Sequence, residues 1–166
     1  MSQSQDRATF SLKFQLTNYS GTQFDLEVVR EVRLLSDDDV EKELGLTMNP
    51  AVKAVAFETV NEIKNTGSNP WKKETGLLSI WILGMFNASA STTAVIPFNE
   101  GDEKALGPIV NDTYFGKVPE ERLVVKEGVM FFAADADYRS KIGVSPTRSK
   151  PVIGSYVLRC GCRLPE

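Results

Sequence analysis

The sequence predicts an all-β protein, an antiparallel β-sandwich with one short helix near 37–44. Three observations predict it. Phe10, Leu12, Phe14 and Leu16 alternate with Ser11, Lys13, Gln15 and Thr17, the period of a strand with one wet face. Roughly eight or nine β-rich runs follow along the chain with turn residues at short spacing, as in sandwiches and barrels. Only Ser36-Asp37-Asp38-Asp39 through Gly45 carries clear helix start and stop chemistry. An α+β arrangement is the alternative, because Val52–Lys64 also satisfies helix propensity.

In chain order, residues 1–7 are polar and are expected to be disordered. A first strand runs from Thr9, and Asn18-Tyr19-Ser20-Gly21 is turn chemistry. Thr22 to Leu35 forms a second strand, whose apolar phase shifts from Phe24, Leu26 and Val28 to Val29, or to Val32 and Leu34; this predicts a bulge near Arg30. Ser36 is a plausible N-cap, the following aspartates complement the helix dipole, and Gly45 ends the turn. Those acids lack the ligand spacing of a Ca²⁺ loop. In Val52–Lys64 the residues Val55, Phe57, Thr59, Val60 and Ile63 favour strand, and Asn65 to Pro70 is a long turn.

Two apolar runs follow, Leu77–Phe86 and Thr92–Phe98, joined by the small polar residues 87–91, and they predict a core hairpin ended by Pro97. Pro119 suits the start of a short helical turn. Leu123–Lys126 and Val129–Ala133 form a hairpin across Glu127-Gly128, and Tyr138–Val144 and Pro151–Leu158 are two further strands. The expected organisation is one sandwich domain over 8–158 and a frayed tail over 159–166.

The totals narrow the chemistry. A chain of 166 residues fits one domain that buries roughly 70% of its unfolded surface. A net charge of −3 offers no footprint for nucleic acid or an anionic membrane. No apolar run reaches the roughly 18 residues of a membrane helix. The N-terminal residues have no basic or apolar leader segments, which implies a cytoplasmic protein unless a leader was removed. Histidine is absent, which excludes Ser-His-Asp and Cys-His nucleophiles and His-ligated zinc. Cys160 and Cys162 are too few for a structural metal site of their own; they read as reduced tail thiols, or as a shared site or local disulfide. No cofactor and no metal is expected, and the chain leans away from enzyme chemistry.

Several phrases resemble an uncharacterised bacterial family with a galactose-mutarotase-like β-supersandwich. They run from Lys73 to Phe86, Thr93 to Phe98, Leu106 to Asp112, Tyr114 to Pro119, Tyr138 to Gly143 and Lys150 to Tyr156. The resemblance fades after Tyr156, which suggests a truncated central piece of such a protein. A supersandwich cut short leaves edges or a face uncovered, so a homo-oligomer, a dimer, is expected to repair it.

The resemblance implies carbohydrate binding, though the His and Glu chemistry of mutarotation has no His here. A sugar site needs an aromatic face with charged and amide groups around it. Trp71 after a turn, with Glu58 and Asn61 on a strand, are the candidates; Trp81 reads as core. Arg139 and Lys141 share a strand face by period two and could hold a carboxylate or phosphate, within a basic run that includes Arg148 and Lys150; a solvated face is the other reading. Two functions stay open: a non-catalytic carbohydrate- or small-ligand-binding module, and a self-associating structural module with no ligand.

Overall fold

Residues 1–157 are described by the structure, a computed structural model. The chain divides into two compact units, Met1–Leu83 and a second that begins at Gly84. The first contains β1 (Ser2–Gln3), β2 (Arg7–Thr17), β3 (Gln23–Leu34), α1 (Asp37–Leu44) and β4 (Phe57–Asn65), with one antiparallel sheet in the order β1-β2-β3-β4. The second contains β5 (Thr92–Pro97), α2 (Glu103–Leu106), a 3₁₀ turn (Glu120–Arg122), β6 (Leu123–Lys126), β7 (Val129–Ala133) and β8 (Gly154–Val157), with an antiparallel sheet in the order β6-β7-β5-β8. The class is all-β, as the alternation of residues 9–17 predicts. Ser2 and Gln3, in the segment expected to be disordered, pair with Thr9 and Ala8. Cys160, Cys162 and the expected tail lie outside the described residues.

β3 is paired along both edges of the first sheet. Its register with β2 runs from Arg7 opposite Arg33 to Thr17 opposite Gln23, and with β4 from Leu26 opposite Asn65 to Leu34 opposite Phe57. Neither ladder skips a residue, so the bulge expected near Arg30 is absent. Phe24, Leu26, Val28, Val32 and Leu34 are in one phase throughout; Arg30 is a polar residue on that face and Val29 an apolar one on the other. Two exceptions to a regular period imitate a phase shift. The opposite face is laced by polar pairs, including Gln15 to Asp25 at 2.7 Å, Ser11 to Glu27 at 3.0 Å and Arg7 to Glu31 at 3.1 Å.

The helix at 37–44 forms where its caps require. Ser36 Oγ accepts from the Asp39 N–H at 3.1 Å, the Asp39 carboxylate accepts from the Ser36 N–H at 3.3 Å, and Gly45 closes the turn at φ 66°. The Ser36 N–H leads the donors that hold the Asp39 carboxyl below the usual carboxylate range, and Arg33 adds its charge.

The expected hairpin of 77–98 is half present. Thr92–Pro97 is β5, but Leu77–Phe86 forms no strand. The reason lies in β5's neighbours. β7 takes one edge and β8 the other, so no edge remains for a preceding strand. Trp81, expected in the core, is 80% exposed. Tyr138–Val144 is also not a strand; its ladder is a single bridge from Gly143 to Asn111. The hairpin across Glu127-Gly128 is present, with both turn residues at positive φ, 50° and 74°.

Arg148, expected in an exposed basic run, is 1% exposed. Its guanidinium donates to the carbonyls of Gly107 at 2.8 Å, Asn99 at 2.9 Å and Gly101 at 3.2 Å. The loop 99–101 and the end of α2 at Gly107 have few strand partners of their own, and the planar fork of donors ties them together. Nearby in the second unit, Arg122 holds Asp135 at 2.5 Å, and that bond, with the Asp137 N–H, lowers the Asp135 carboxyl below its usual range.

Two stability predictions follow from these contacts. Arg148→Met should cost about 3 kcal/mol or more, because three carbonyls are left unpaired at roughly 1–3 kcal/mol each. Urea unfolding measures it, and a variant as stable as the parent would refute the tie. Asp39 and Asp135 have folded pKa values below the unfolded value of about 3.9. Their stabilisation is therefore complete above about pH 4 and is lost as pH falls through the folded values. Asp135→Asn should flatten the acid limb of a stability–pH curve; an unchanged limb would show that the pair does not matter.

Candidate functional site

In the first unit, a cleft of about 260 Å³ opens where the start of β3 and the end of β4 meet the loop 66–76. Trp71, Phe24, Asp25, Asn65, Asn69 and Lys72 are among its walls. Each wall has a local cause. The Asn65 amide is used at both ends: its oxygen accepts from the Gly67 N–H at 3.0 Å and its nitrogen donates to the Asn69 carbonyl at 2.8 Å. This folds the Asn65-to-Pro70 turn back against the sheet, an Asx-type arrangement. The Thr66 N–H donates to the Asp25 carbonyl at 3.0 Å, which fixes the loop to β3.

The far end of the loop is closed by Asn18, whose amide nitrogen donates to the Thr75 carbonyl at 2.9 Å. Gly76 is required there. Its φ is +121°, and a Cβ would lie 2.8 Å from the Asn18 amide nitrogen and 3.1 Å from the Phe24 ring. Trp71 packs edge-to-face with Phe24, with ring centroids 6.1 Å apart at 79°. Phe24 is 3% exposed and anchors the contact, while Trp71 is half-buried and gives the cleft an aromatic wall. Asp25 Oδ1 accepts from Gln15 at 2.7 Å, and Oδ2 has no hydrogen-bond partner among the described residues. The cleft thus combines a fixed aromatic surface, a carboxylate oxygen with acceptor capacity and an exposed ammonium on Lys72.

The remaining sequence candidates are elsewhere. Glu58 is on the polar face of β4 and accepts from Arg33 at 3.2 Å. Asn61 is on the other face, donating to Thr59 Oγ1 at 3.1 Å. Asn61 is four positions from the cleft residue Asn65, about 13 Å along a strand. Arg139 and Lys141 are in the second unit, each over an aromatic ring: Arg139 Cζ is 4.3 Å from the Phe115 centroid and Lys141 Nζ 4.1 Å from that of Tyr114. They are not on a strand, so period two does not place them; the rings do.

Asp25 and Asn65 escape sequence reasoning because an acid in a strand and an amide in a turn are ordinary. The Asn-Thr-Gly spacing at 65–67 is the one local signal, since it favours a side-chain-capped turn. Among the described residues no group of three or more metal-ligating side chains occurs, and no helix is long and apolar enough to cross a membrane. The two carboxyls held below their usual range, Asp39 and Asp135, lie outside the cleft.

Fold and cleft together define an all-β protein with a small aromatic and polar pocket at the end of one sheet. The chain belongs to a family of unknown function, DUF6786, whose model matches residues 1–160. No curated protein and no solved structure matches it.

Proposed function

We propose that the protein is a non-catalytic binding module for a carbohydrate or similarly small polar ligand, with the Trp71 cleft as its site. The observation that carries this is the half-buried Trp71, fixed against Phe24, beside Asp25 Oδ2 and Lys72 in a cleft of about 260 Å³. That volume suits one sugar ring rather than a drug-sized molecule, given ligand pockets of about 300–1,000 Å³. An indole face stacks on the C–H face of a pyranose, and a carboxylate accepts from its hydroxyls. A relation to the mutarotase-like supersandwiches is part of this proposal and would favour the same class of ligand.

Titration of the full chain with neutral mono- and oligosaccharides, followed by calorimetry, tests it. Saturable binding is expected, weakened at least tenfold by Trp71→Ala, partly restored by Trp71→Phe and unchanged by Trp81→Ala. Binding that survives Trp71→Ala would place the ligand elsewhere. No binding across the panel would remove the reading.

A second reading has its own observation. Phe10, Leu12, Phe14 and Leu16 lie on one face of β2 and remain 39–63% exposed, and β1 covers the outer edge of β2 only at Ala8 and Thr9. An apolar face beside an open edge is an association surface. We propose that a second copy of this chain covers it, pairing apolar face to apolar face. Sedimentation velocity should show a dimer that Leu12→Lys converts to monomer without loss of fold; a parent that is monomeric at high concentration would refute this.

A further inference from the structure

We propose that the aromatic step formed by Tyr114 and Phe115 is a binding site for the oxyanion group of a small molecule, a phosphate or a carboxylate, engaged by Arg139 and Lys141. The site lies wholly in the second unit and does not depend on the sugar reading of the Trp71 cleft.

The two segments that build it are clamped together. The Asn111 N–H donates to the Gly143 carbonyl and the Gly143 N–H to the Asn111 carbonyl, both at 2.8 Å. This sets residues 114–115 beside 139–141. The Tyr114 and Phe115 rings meet at 90° with centroids 4.7 Å apart, and each carries one cation, Lys141 on Tyr114 and Arg139 on Phe115. Both rings are solvent-exposed, Tyr114 by 67%, and so are both cations.

Cation–π contact alone is an ordinary way to order one surface Arg or Lys. Two features go further here. Neither Arg139 nor Lys141 has a carboxylate within ion-pair distance among the described residues, although the chain has 22 acids to 19 bases. Like charges held on adjoining rings repel, and an anion between the chain and solvent relieves that repulsion. Each cation is also held by its ring rather than free to wander, so less side-chain entropy is lost when a ligand binds. The Arg139 guanidinium has five N–H donors in a planar fork, a donor set suited to an oxyanion. Lys117, a third cation, follows the two rings in sequence; it reaches the buried Asp112 carboxylate at 2.6 Å, and its side chain stays 75% exposed. Asp112 is the acid of this cluster, and its charge is taken by Lys117.

The test follows backbone amide shifts of the full chain at low chloride, with sodium phosphate in one series and sodium acetate in another. Saturable shifts confined to residues 111–117 and 139–143 are expected in at least one series. The series that saturates at the lower concentration identifies the group, and equal saturation supports an oxyanion site without preference. The Arg139→Gln/Lys141→Gln double variant should weaken binding at least tenfold, while Lys126→Gln leaves it unchanged. If the double variant loses the parent spectrum, Lys141→Gln alone is read, with at least a threefold weakening expected. Shifts that never saturate, that spread evenly over the basic surface, or that are unaffected by these variants overturn the proposal.

Discussion

Each unit is organised around strands whose backbone is paired along both edges, β3 in the first and β5 with its neighbour β7 in the second. Backbone N–H and C=O groups in a sheet interior must find partners, and a strand between two neighbours satisfies them without side-chain help. Everything near β3 and β5 follows from the two neighbours each accepts. Along β3 the unbroken registers separate a polar face of cross-strand pairs from an apolar one. Around β5 the same requirement excludes Leu77–Phe86 from pairing with that strand, whatever its own strand propensity.

Where the ladders end, side chains take over the same task. Asn65 and Asn18 hold the loop that shapes the Trp71 cleft, and Arg148 joins the 99–101 loop to Gly107 through three carbonyls. A buried guanidinium with no carboxylate beside it is unusual, because a buried charge needs compensation. Here aligned carbonyl dipoles supply it. Both proposed sites sit at such places, beyond the regular pairing, where side chains face solvent and are held by a neighbouring loop.

The two sites differ in chemistry. In the Trp71 cleft an aromatic wall stands beside an acceptor and an amide-built turn, a setting for a neutral polar ligand. On the Tyr114–Phe115 step the rings carry cations with no ion-pair partner among the described residues, a setting for an anion. Both use aromatics as rigid supports, one as a contact surface and the other as a base for charge. The absence of histidine from the whole chain keeps imidazole catalysis out of either.

Local chemistry in the sequence was enough for the all-β class, the strands at 7–17 and 23–34, the capped helix at 37–44 and the 127–128 hairpin. Each of these depends on period, caps or turn residues within a few positions of one another. Trp71 was legible for the same reason, as an aromatic placed directly after a turn. Only the tertiary structure decided which apolar runs find a sheet edge, that Arg148 is buried while Arg139 and Lys141 are exposed, and that Asp25 and Asn65 line one cleft with Trp71. Those outcomes depend on pairing and packing between residues distant in the chain. A basic residue or an apolar run reads the same in sequence whether its neighbours leave it room or not.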